Sequence, residues 1–420
     1  MKQSSSLNVL LFICAFMLVF AIVFQGFPPL FSLIISDLDI SHAQAGALMS
    51  LFALPGILIS IPGGLLADVY GAKTVGTLAL IITLVGSVIV VFSGSYSMLV
   101  LGRLISGIGA LTVSIIAPQV LSKQFAKDKL GQVMGIFNMV MPLGTIITLN
   151  AFGLIASLSS WRVPLLLVST YSLVMLVLFY FKNPLVEQQQ AARHLNFTSS
   201  LSMIRSAGWP IWLVAAIWMM YNAASISYLS FAGDYFVSQG YSVSYAGFLT
   251  SLLMVGALLI SAFVGSLTDK YSNAEYLIAI GSIALAFLLW LVPRTSLNPL
   301  LIGSLIGIFA ALIPAPTFAL VPKCLPRELT GLGYGILSTC LNIGVLVGPY
   351  VVGLSYDRTS SYLPGFNLMA VFSLVTAVFA FFSSANKSVS RRINFPAKAA
   401  VDSGSYWLSY SYKNIKVGMI

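Results

Sequence analysis

The sequence is poor in charge, since only 8% of its 420 residues are Asp, Glu, Lys or Arg. A water-soluble fold of this length needs far more charge to cover its surface. Histidine is also scarce: His42 and His194 are the two in the chain, and no H-E-x-x-H motif occurs. The G-x-x-x-x-G-K-[ST] phosphate loop is missing as well, which argues against ATP as an energy source. We therefore predict that the protein is not an enzyme and has no catalytic residue, no metal site and no cofactor.

Apolar residues, in contrast, are abundant. They make up 58% of the chain, and the mean hydropathy is +0.97. About 20 apolar residues, rising ~1.5 Å each, cross a ~30 Å hydrocarbon core. No segments of alternating polarity, as in β-barrels, are present. We predict twelve membrane-spanning helices, spans 1 to 12: Asn8–Ile35, Ala43–Leu66, Thr74–Phe92, Met98–Pro118, Gly131–Leu158, Val163–Phe181, Ile211–Ala232, Tyr245–Thr268, Tyr276–Pro293, Asn298–Leu320, Gly331–Leu354 and Tyr362–Phe382.

The net charge of +10 is a topology signal. Most of the 21 Lys and Arg residues fall at the N-terminus, in the loops that follow even-numbered spans, and in the C-terminal tail. Basic segments stay in the cytoplasm. We therefore predict a multi-pass protein of the inner or plasma membrane with both termini cytoplasmic. The charge is scattered over short loops, which argues against nucleic acid as a partner. The expected partners are the lipid bilayer and a small-molecule substrate, and a monomer is expected.

The second half of the chain repeats the first at an offset of 200 residues. Four glycines and three charges of matching sign recur in register, as expected for parallel internal repeats. Gly64 and Asp68 recur as Gly265 and Asp269 with a slip of one residue. We predict an N-terminal six-helix bundle (1–181), a cytoplasmic linker (182–210), a C-terminal six-helix bundle (211–384) and a cytoplasmic tail (385–420). The matched positions are Lys123/Lys323, Lys127/Arg327, Asp128/Glu328, Gly131/Gly331, Gly135/Gly335, Gly144/Gly344 and Gly153/Gly353.

Local motifs resemble those of the major facilitator superfamily over roughly residues 8–384. The segment from Gly64 to Lys73 is similar to the family's G-x3-D-[RK]-x-G-x-[RK]-[RK] loop, and span 4 resembles the family's helix 4 motif from Leu99 to Gly109. Val69 departs from the loop pattern, because a basic residue is usual there. The resemblance implies an all-α membrane fold with two pseudo-symmetric six-helix bundles, and a secondary transporter.

The loop motif implies a cytoplasmic latch. In the family, the corresponding Asp contacts the start of helix 11 and holds the cytoplasmic side shut. A carboxylate near the positive N-terminus of a helix is stabilised there. The alternative interpretation is a tight glycine turn with a solvated Asp. The residues predicted for the latch are Gly64, Asp68, Gly71, Lys73, Asp269 and Lys270.

Arg103 is the most informative polar residue, since a charged Arg at a helix centre costs roughly 2.5–3.5 kcal/mol on insertion scales. Its repeat mate is Gly303, so the symmetry is broken here. We predict that it lines the central cavity and either holds an anionic substrate group or tunes a protonation step; the alternative is that it bonds backbone carbonyls or extends outward to the interface. No acid lies in the middle of a predicted span, and Asp234, after span 7, is the nearest exception. The other residues predicted to bind substrate are Gln25, Asn138, Tyr221, Asn222 and Asn342.

Three functions stay open. The sequence favours a secondary transporter of small organic or inorganic anions that works by alternating access around a midplane site. Its transport is either facilitative or driven by an ion gradient, as in a symporter or antiporter. A proton-coupled drug or metabolite exporter, with protons as the coupling ion, is the first alternative. A transporter-like membrane sensor without flux is the second.

Overall fold

The computed structural model describes residues 3–125, 127–181, 208–270, 274–325 and 330–390. These residues form helices, and twelve segments are long and apolar enough to cross a membrane, as predicted. Most of the predicted linker (182–210) and tail (385–420) lies outside the described residues, so both boundaries stay predictions.

Eight spans are single helices: span 2 (His42–Tyr70), span 3 (Ala72–Val91), span 4 (Tyr96–Gln124), span 6 (Arg162–Phe181), span 7 (Trp209–Ser238), span 8 (Val243–Lys270), span 11 (Thr330–Thr359) and span 12 (Leu363–Ser390). The other four are interrupted or extended. Span 1 consists of Gln3–Gln25, a 3-10 turn Pro28–Leu30 and Phe31–Leu38. Span 5 consists of Lys127–Asn138 and Val140–Leu158, and span 10 of Pro299–Ala311 and Pro314–Cys324. Span 9 (Ala274–Leu291) continues into the 3-10 turn Val292–Arg294.

Proline explains the break in span 1 and marks the one in span 10. Proline has no backbone N–H to donate to the preceding turn of a helix. The first helix of span 1 ends at Gln25, and Pro28 and Pro29 follow after two residues, while Pro314 starts the second helix of span 10. Prolines at the start of a helical segment cost little, because the first N–H groups have no helical partner in any case.

The lipid-facing surface is carried mainly by spans 3, 6, 9 and 12. Large exposed apolar side chains recur along these helices every three or four residues, which is the spacing of one helix face. Such a surface is stable only in lipid, because a soluble monomer rarely exposes large apolar patches. Examples are Leu78, Ile81 and Val85 in span 3, Val174 and Val177 in span 6, Ile280, Ile283 and Phe287 in span 9, and Val371, Leu374 and Val378 in span 12.

The inner spans bring the two halves of the molecule together. Span 2 packs along span 11, and span 5 along span 8. Because the number of spans is even, the start of span 1 and the end of span 12 lie on the same face, which we call the terminal face. The opposite face, where spans 1 and 2 are joined, is the distal face.

The distal end of span 7 differs from the sequence prediction. The helix runs to Ser238, six residues beyond the predicted end at Ala232, and its final turns include Asp234. In the sequence, an Asp in an otherwise apolar run indicates the end of a helix. In the structure Asp234 interacts with Ser32 of span 1, and the helix continues past it. Asp234 therefore lies inside a span, contrary to the prediction that it follows one.

Candidate functional site

Spans 2 and 11 approach each other closely at the distal face and at mid-depth. A side-chain carbon at Gly46 would collide with the carbonyl of Pro349, and one at Gly353 with the carbonyl of His42. At mid-depth, a carbon at Gly56 would lie 2.7 Å from the Asn342 side-chain nitrogen. Small residues let helix backbones pack at such short range. Spans 2 and 11 therefore pack in direct contact from mid-depth to the distal face.

A carboxylate fastens this contact at its distal end. Asp357, in the last turn of span 11, accepts hydrogen bonds from the backbone amides of His42 at 2.9 Å and Ala43 at 2.7 Å. The His42 ring nitrogen lies 3.4 Å from the same carboxylate. The first amides of a helix are unpaired and carry the positive end of its dipole, so they favour an anion. We call this contact the distal clasp.

The sequence analysis missed the distal clasp. Asp357 comes from the opposite half, 315 residues from His42, and no local pattern connects the two. The receiving helix start does carry a signal, since Ser41 and Gln44 form a reciprocal capping box, whose S-x-x-Q spacing is typical of a helix N-terminus. Rings reinforce the contact, because the His42 ring packs against Tyr356 at 3.9 Å and Tyr356 against Tyr362 at 4.5 Å, both in a tilted arrangement.

Spans 5 and 8 close the same face on the other side of the bundle. Asn150 donates from its side-chain amide to the Ser251 hydroxyl at 3.1 Å and to the Ile146 carbonyl at 2.8 Å. A side-chain carbon at Gly247 would collide with the carbonyl of Leu149. Near the terminal face, no described residue lies within 4 Å of a side-chain carbon placed at Gly135, Gly265 or Gly335. The described contacts between the halves are thus tight at the distal face, and these three glycines of spans 5, 8 and 11 make no comparable contact.

Asp234 lies where spans 1, 5, 7 and 8 meet. It borders a cavity of about 30 Å³ between the halves, together with Pro28, Ser32 and Gly247. Its carboxyl interacts with the side chain and backbone of Ser32, and its second oxygen is buried without a hydrogen-bond partner among the described residues. The cavity is large enough for one water molecule. The pKa of the neighbouring Tyr362 is raised mainly by burial, and to a smaller extent by Asp234 and Tyr356. Tyr362 therefore stays neutral.

Arg103 is fully buried in the N-terminal half and is held by backbone carbonyls. Its guanidinium donates to Leu48 at 2.9 Å, to Val23 at 2.8 Å and to Phe24 at 3.4 Å. Val23 and Phe24 belong to the last turn of the first helix of span 1, where carbonyls lack helical partners and a cation is favoured.

Two rings enclose the same guanidinium. Phe27 and Phe52 each lie 4.3 Å from its central carbon, at cation–π distance. This is the carbonyl-bonding arrangement that the sequence left as an alternative. The role of Arg103 as a substrate counter-charge stays a prediction, and in this conformation its donors are directed at the backbone.

The remaining predicted binding residues are spread over the bundle. Gln25 is fully buried next to the break in span 1, and neither atom of its side-chain amide has a partner among the described residues. Asn222 donates to the Trp218 carbonyl at 2.7 Å, and Asn342 to the Ser338 carbonyl at 2.9 Å. Asn138 is exposed at the break in span 5. The described hydrogen bonds join no two members of this set.

Tyr221 belongs to a row of aromatic rings in the C-terminal half. Its ring stacks on Trp218 at 5.5 Å, Trp218 meets Phe318 edge-on at 4.9 Å, and Phe318 lies 5.9 Å from Tyr334. The rings lead from buried Tyr221, at mid-depth, to exposed Tyr334 near the terminal face. The sequence analysis named only Tyr221, because the other three come from the terminal-side turns of spans 7, 10 and 11.

The predicted cytoplasmic latch is described only in part. Gly71 ends the span 2 helix with φ of 84°, a conformation that favours glycine. Lys73 is exposed, with its ammonium 6.0 Å from the centre of the Tyr180 ring. Gly64 lies within the span 2 helix. The side chains of Asp68, Asp269 and Lys270 lie outside the described part of the structure, so the latch stays a prediction.

Comparison with known proteins places these features in a family. The family model described as Major Facilitator Superfamily matches residues 11–302 and, in an overlapping match, 222–411. The chain is 24% identical to the "Probable sulfoacetate transporter SauU" of Cupriavidus necator, over 79% of this chain and 82% of that protein. It is 25% identical to the "Probable nitrate transporter NarT" of Staphylococcus epidermidis, over 83% of this chain and 89% of that one.

A solved structure agrees with the fold. The crystal structure of a bacterial homologue of the human lysosomal transporter Spinster, "in Inward-facing And Unoccupied Conformation", superposes with a TM-score of 0.77 at 16% identity. The alignment covers 94% of this chain and 100% of that one.

We predict that Asp357→Asn loosens the distal clasp. The change removes the charge at the start of span 2 and one of two acceptors, a loss of about 1 kcal/mol. That is about a fivefold shift in a two-state equilibrium. In a chain whose three cysteines are replaced by serine, Ser50→Cys places a reporter at a buried position of span 2 that contacts Val345. It should react about fivefold faster with an impermeant maleimide added at the distal face.

Asp37→Asn is the matched control. It removes a charge from the same face, but Asp37 bonds Trp161 and Arg162, both within the N-terminal half. Equal labelling rates with Asp357→Asn and Asp37→Asn would contradict a role of Asp357 in closure.

We also predict that Arg103→Met strongly lowers the thermal unfolding midpoint in detergent. The change leaves buried carbonyls without donors, at a cost of about 1–3 kcal/mol each. Arg103→Lys should melt in between, because an ammonium restores the charge but not the planar fork. Arg294→Met, which removes an exposed guanidinium bonded to Trp290 and Asn367, serves as the control. Equal melting of Arg103→Met and Arg294→Met would show that the carbonyl bonds add no stability.

Proposed function

The chain belongs to the major facilitator superfamily and is a secondary transporter of small solutes, and from this premise we propose that its preferred solutes are small organic or inorganic anions. The observation that carries this proposal is the buried guanidinium of Arg103, which has no carboxylate partner among the described residues. A buried charge without a counter-charge acts at longer range than one in water, because the surrounding dielectric constant is low. The centre of the bundle is therefore favourable to a negative solute.

Arg103 attracts the substrate in this proposal without having to touch it. The Arg103 guanidinium bonds carbonyls at the end of the first helix of span 1. Gln25 is the last residue of that helix, and its side-chain amide has no partner among the described residues. We propose Gln25 as the first ligand of the substrate, and Tyr221 and Asn222 of span 7 as further ligands. The two relatives are named as probable transporters of sulfoacetate and nitrate, which are both anions, and this supports the choice.

We propose that transport proceeds by rocking of the two halves around this site. The distal clasp and the Asn150–Ser251 bond close one face, while Gly135, Gly265 and Gly335 of the other face have no close neighbour among the described residues. The described state is then open toward the terminal face. On the positive-inside rule that face is the cytoplasm, and we place the protein in the inner or plasma membrane as a monomer with both termini cytoplasmic.

Proton coupling is the second candidate, and Asp234 is the observation that favours it. One oxygen of this carboxyl is buried without a partner among the described residues, and ionising such a group is costly where it is shielded from water. It lies between the halves on the distal side. Ionisation of Asp234 at that interface favours water entry and opening of the distal face, so that one proton is linked to one cycle. Tyr362 is the neutral ionisable group nearby.

Uptake of labelled nitrate and sulfoacetate into proteoliposomes tests the anion proposal. We expect saturable uptake of an anion, little uptake of a neutral sugar, a neutral dipeptide or an organic cation, and a KM at least about tenfold higher for Gln25→Leu. Asn367→Leu, which removes an amide that bonds Arg294 at the distal end, should leave KM unchanged. Preferred uptake of cations or neutral solutes would overturn the proposal. Absence of any flux, with binding retained, would favour the sensor interpretation instead.

Asp234→Asn tests the coupling. Asn imitates the protonated carboxyl, so the variant should still exchange labelled for unlabelled anion but lose its response to an imposed pH gradient. Asp37→Asn, at the same face, should keep that response. If wild-type uptake ignores the pH gradient, or if Asp234→Asn follows it normally, Asp234 is not the coupling site.

A further inference from the structure

The row of aromatic rings in the C-terminal half, which we call the aromatic row (Tyr221, Trp218, Phe318 and Tyr334), has two buried members and two exposed ones. Trp218 is 9% exposed and Tyr221 6%, whereas Phe318 and Tyr334 are each 39% exposed. Neighbouring rings of the row lie 5.5, 4.9 and 5.9 Å apart between centroids. An exposed ring in a membrane protein faces either lipid or the space between the two halves, and only the second direction brings it into contact with a solute.

Tyr334 faces the space between the halves. Span 11 meets span 2 through the face that carries Asn342, and Gly335 lies on the same face, because seven residues make about two helical turns. No described residue lies within 4 Å of a side-chain carbon placed at Gly335, next to Tyr334. The exposed side chains Val347 and Tyr350 of the same helix point roughly 140° to 160° away from Tyr334, at ~100° per residue. The lipid side of span 11 is therefore not the side of Tyr334.

Phe318 belongs to the same surface. It lies in the second helix of span 10, which packs against spans 7, 8, 9 and 11 of its own half. Its ring meets Trp218 of span 7 edge-on and lies beside Tyr334 of span 11. The exposed part of Phe318 is thus directed between spans 7 and 11. Both exposed rings border the space that is open toward the terminal face in the proposed cycle.

The internal repeat indicates that the fold does not require these two rings. At the offset of 200 residues, Phe318 corresponds to Pro118 and Tyr334 to Met134. The N-terminal half therefore builds the equivalent helices without a ring at either position. A pair of exposed rings in only one of two equivalent halves points to binding rather than to packing.

The surroundings set the chemistry of an occupant. A flat ring packs against exposed rings offset or edge-on, as aromatic pairs do within proteins. The row ends at Tyr221, next to Asn222, whose side-chain amide has a second N–H besides the one that bonds the Trp218 carbonyl. Aromatic faces alone would also suit a cation, but the buried charge of Arg103 in the other half of the bundle favours a negative group.

We propose that the transported anion carries an aromatic ring, which binds along the aromatic row at Phe318 and Tyr334 with the charged group directed toward the centre of the bundle. The inference rests on the proposed function, because it takes the negative charge from there and adds the shape of the rest of the solute. The preferred substrates are then aryl sulfonates or aryl carboxylates with one ring, rather than aliphatic anions of the same charge.

Uptake of three labelled sulfonates into proteoliposomes tests this with the full-length protein. Benzenesulfonate, cyclohexanesulfonate and methanesulfonate share one charged group, and all three stay ionised, so they do not cross lipid as neutral acids. We expect a KM for benzenesulfonate about fivefold lower than for cyclohexanesulfonate, which has a similar size but no flat ring. The KM for methanesulfonate should be higher still.

Two variants locate the ring. Phe318→Leu and Tyr334→Met, the second of which introduces the residue found at the repeat mate, should each raise the KM for benzenesulfonate about fivefold and leave that for methanesulfonate within about twofold. Phe287→Leu and Tyr276→Met, at exposed positions of the lipid-facing span 9, are the matched controls and should change neither value. A merely structural role of the two rings would change the KM of both sulfonates together.

The outcomes separate this inference from the anion proposal. Saturable uptake of all three sulfonates with equal KM, or equal effects of Phe318→Leu on benzenesulfonate and methanesulfonate, would overturn the aromatic site and leave the anion preference intact. Saturable uptake of phenyltrimethylammonium without uptake of any sulfonate would overturn both, because the rings would then serve a cation.

Discussion

A bilayer offers a backbone no hydrogen-bond partners, and this constraint governs the structure. Every helix end or break inside the membrane must find donors and acceptors within the protein. The break in span 1 meets the requirement through Arg103, whose guanidinium serves carbonyls of spans 1 and 2. The start of span 2 meets it through Asp357, from the other half of the molecule. In both places a charged side chain forms hydrogen bonds with backbone groups that lipid would leave unsatisfied.

Much of this fold could be predicted from the sequence. Helix length in a membrane is set by bilayer thickness, so runs of apolar residues gave the twelve spans, and the repeated glycines gave two equivalent halves. The prediction was wrong at the end of span 7, because local composition places Asp234 in a loop while its contact with Ser32 lets the helix continue. The distal clasp was not predictable in the same way, since the pairing of Asp357 with His42 depends on how the halves meet.

For each predicted site residue, the sequence and the structure supply different information. Arg103 was conspicuous as a charge in an apolar helix, yet only the structure reveals its carbonyl partners and the two enclosing rings. Gln25 was one of several polar residues in the sequence, and its unpartnered amide distinguishes it from Asn222 and Asn342, which bond their own helices. The side chains of Asp68 and Asp269 lie outside the described part of the structure, so the family motif remains the basis for the latch.

The capping box at the start of span 2 affects the order in which that helix start gains its hydrogen-bond partners during synthesis. Ser41 and Gln44 are adjacent in sequence to the helix they cap, whereas Asp357 is added by a segment synthesised some 300 residues later. During translation, Ser41 and Gln44 can therefore satisfy two amides at the start of span 2 before Asp357 exists, and the amides of His42 and Ala43 gain their acceptor later. In the proposed cycle, withdrawal of Asp357 would leave this local cap in place, so the start of span 2 would stay partly capped while the distal face opens.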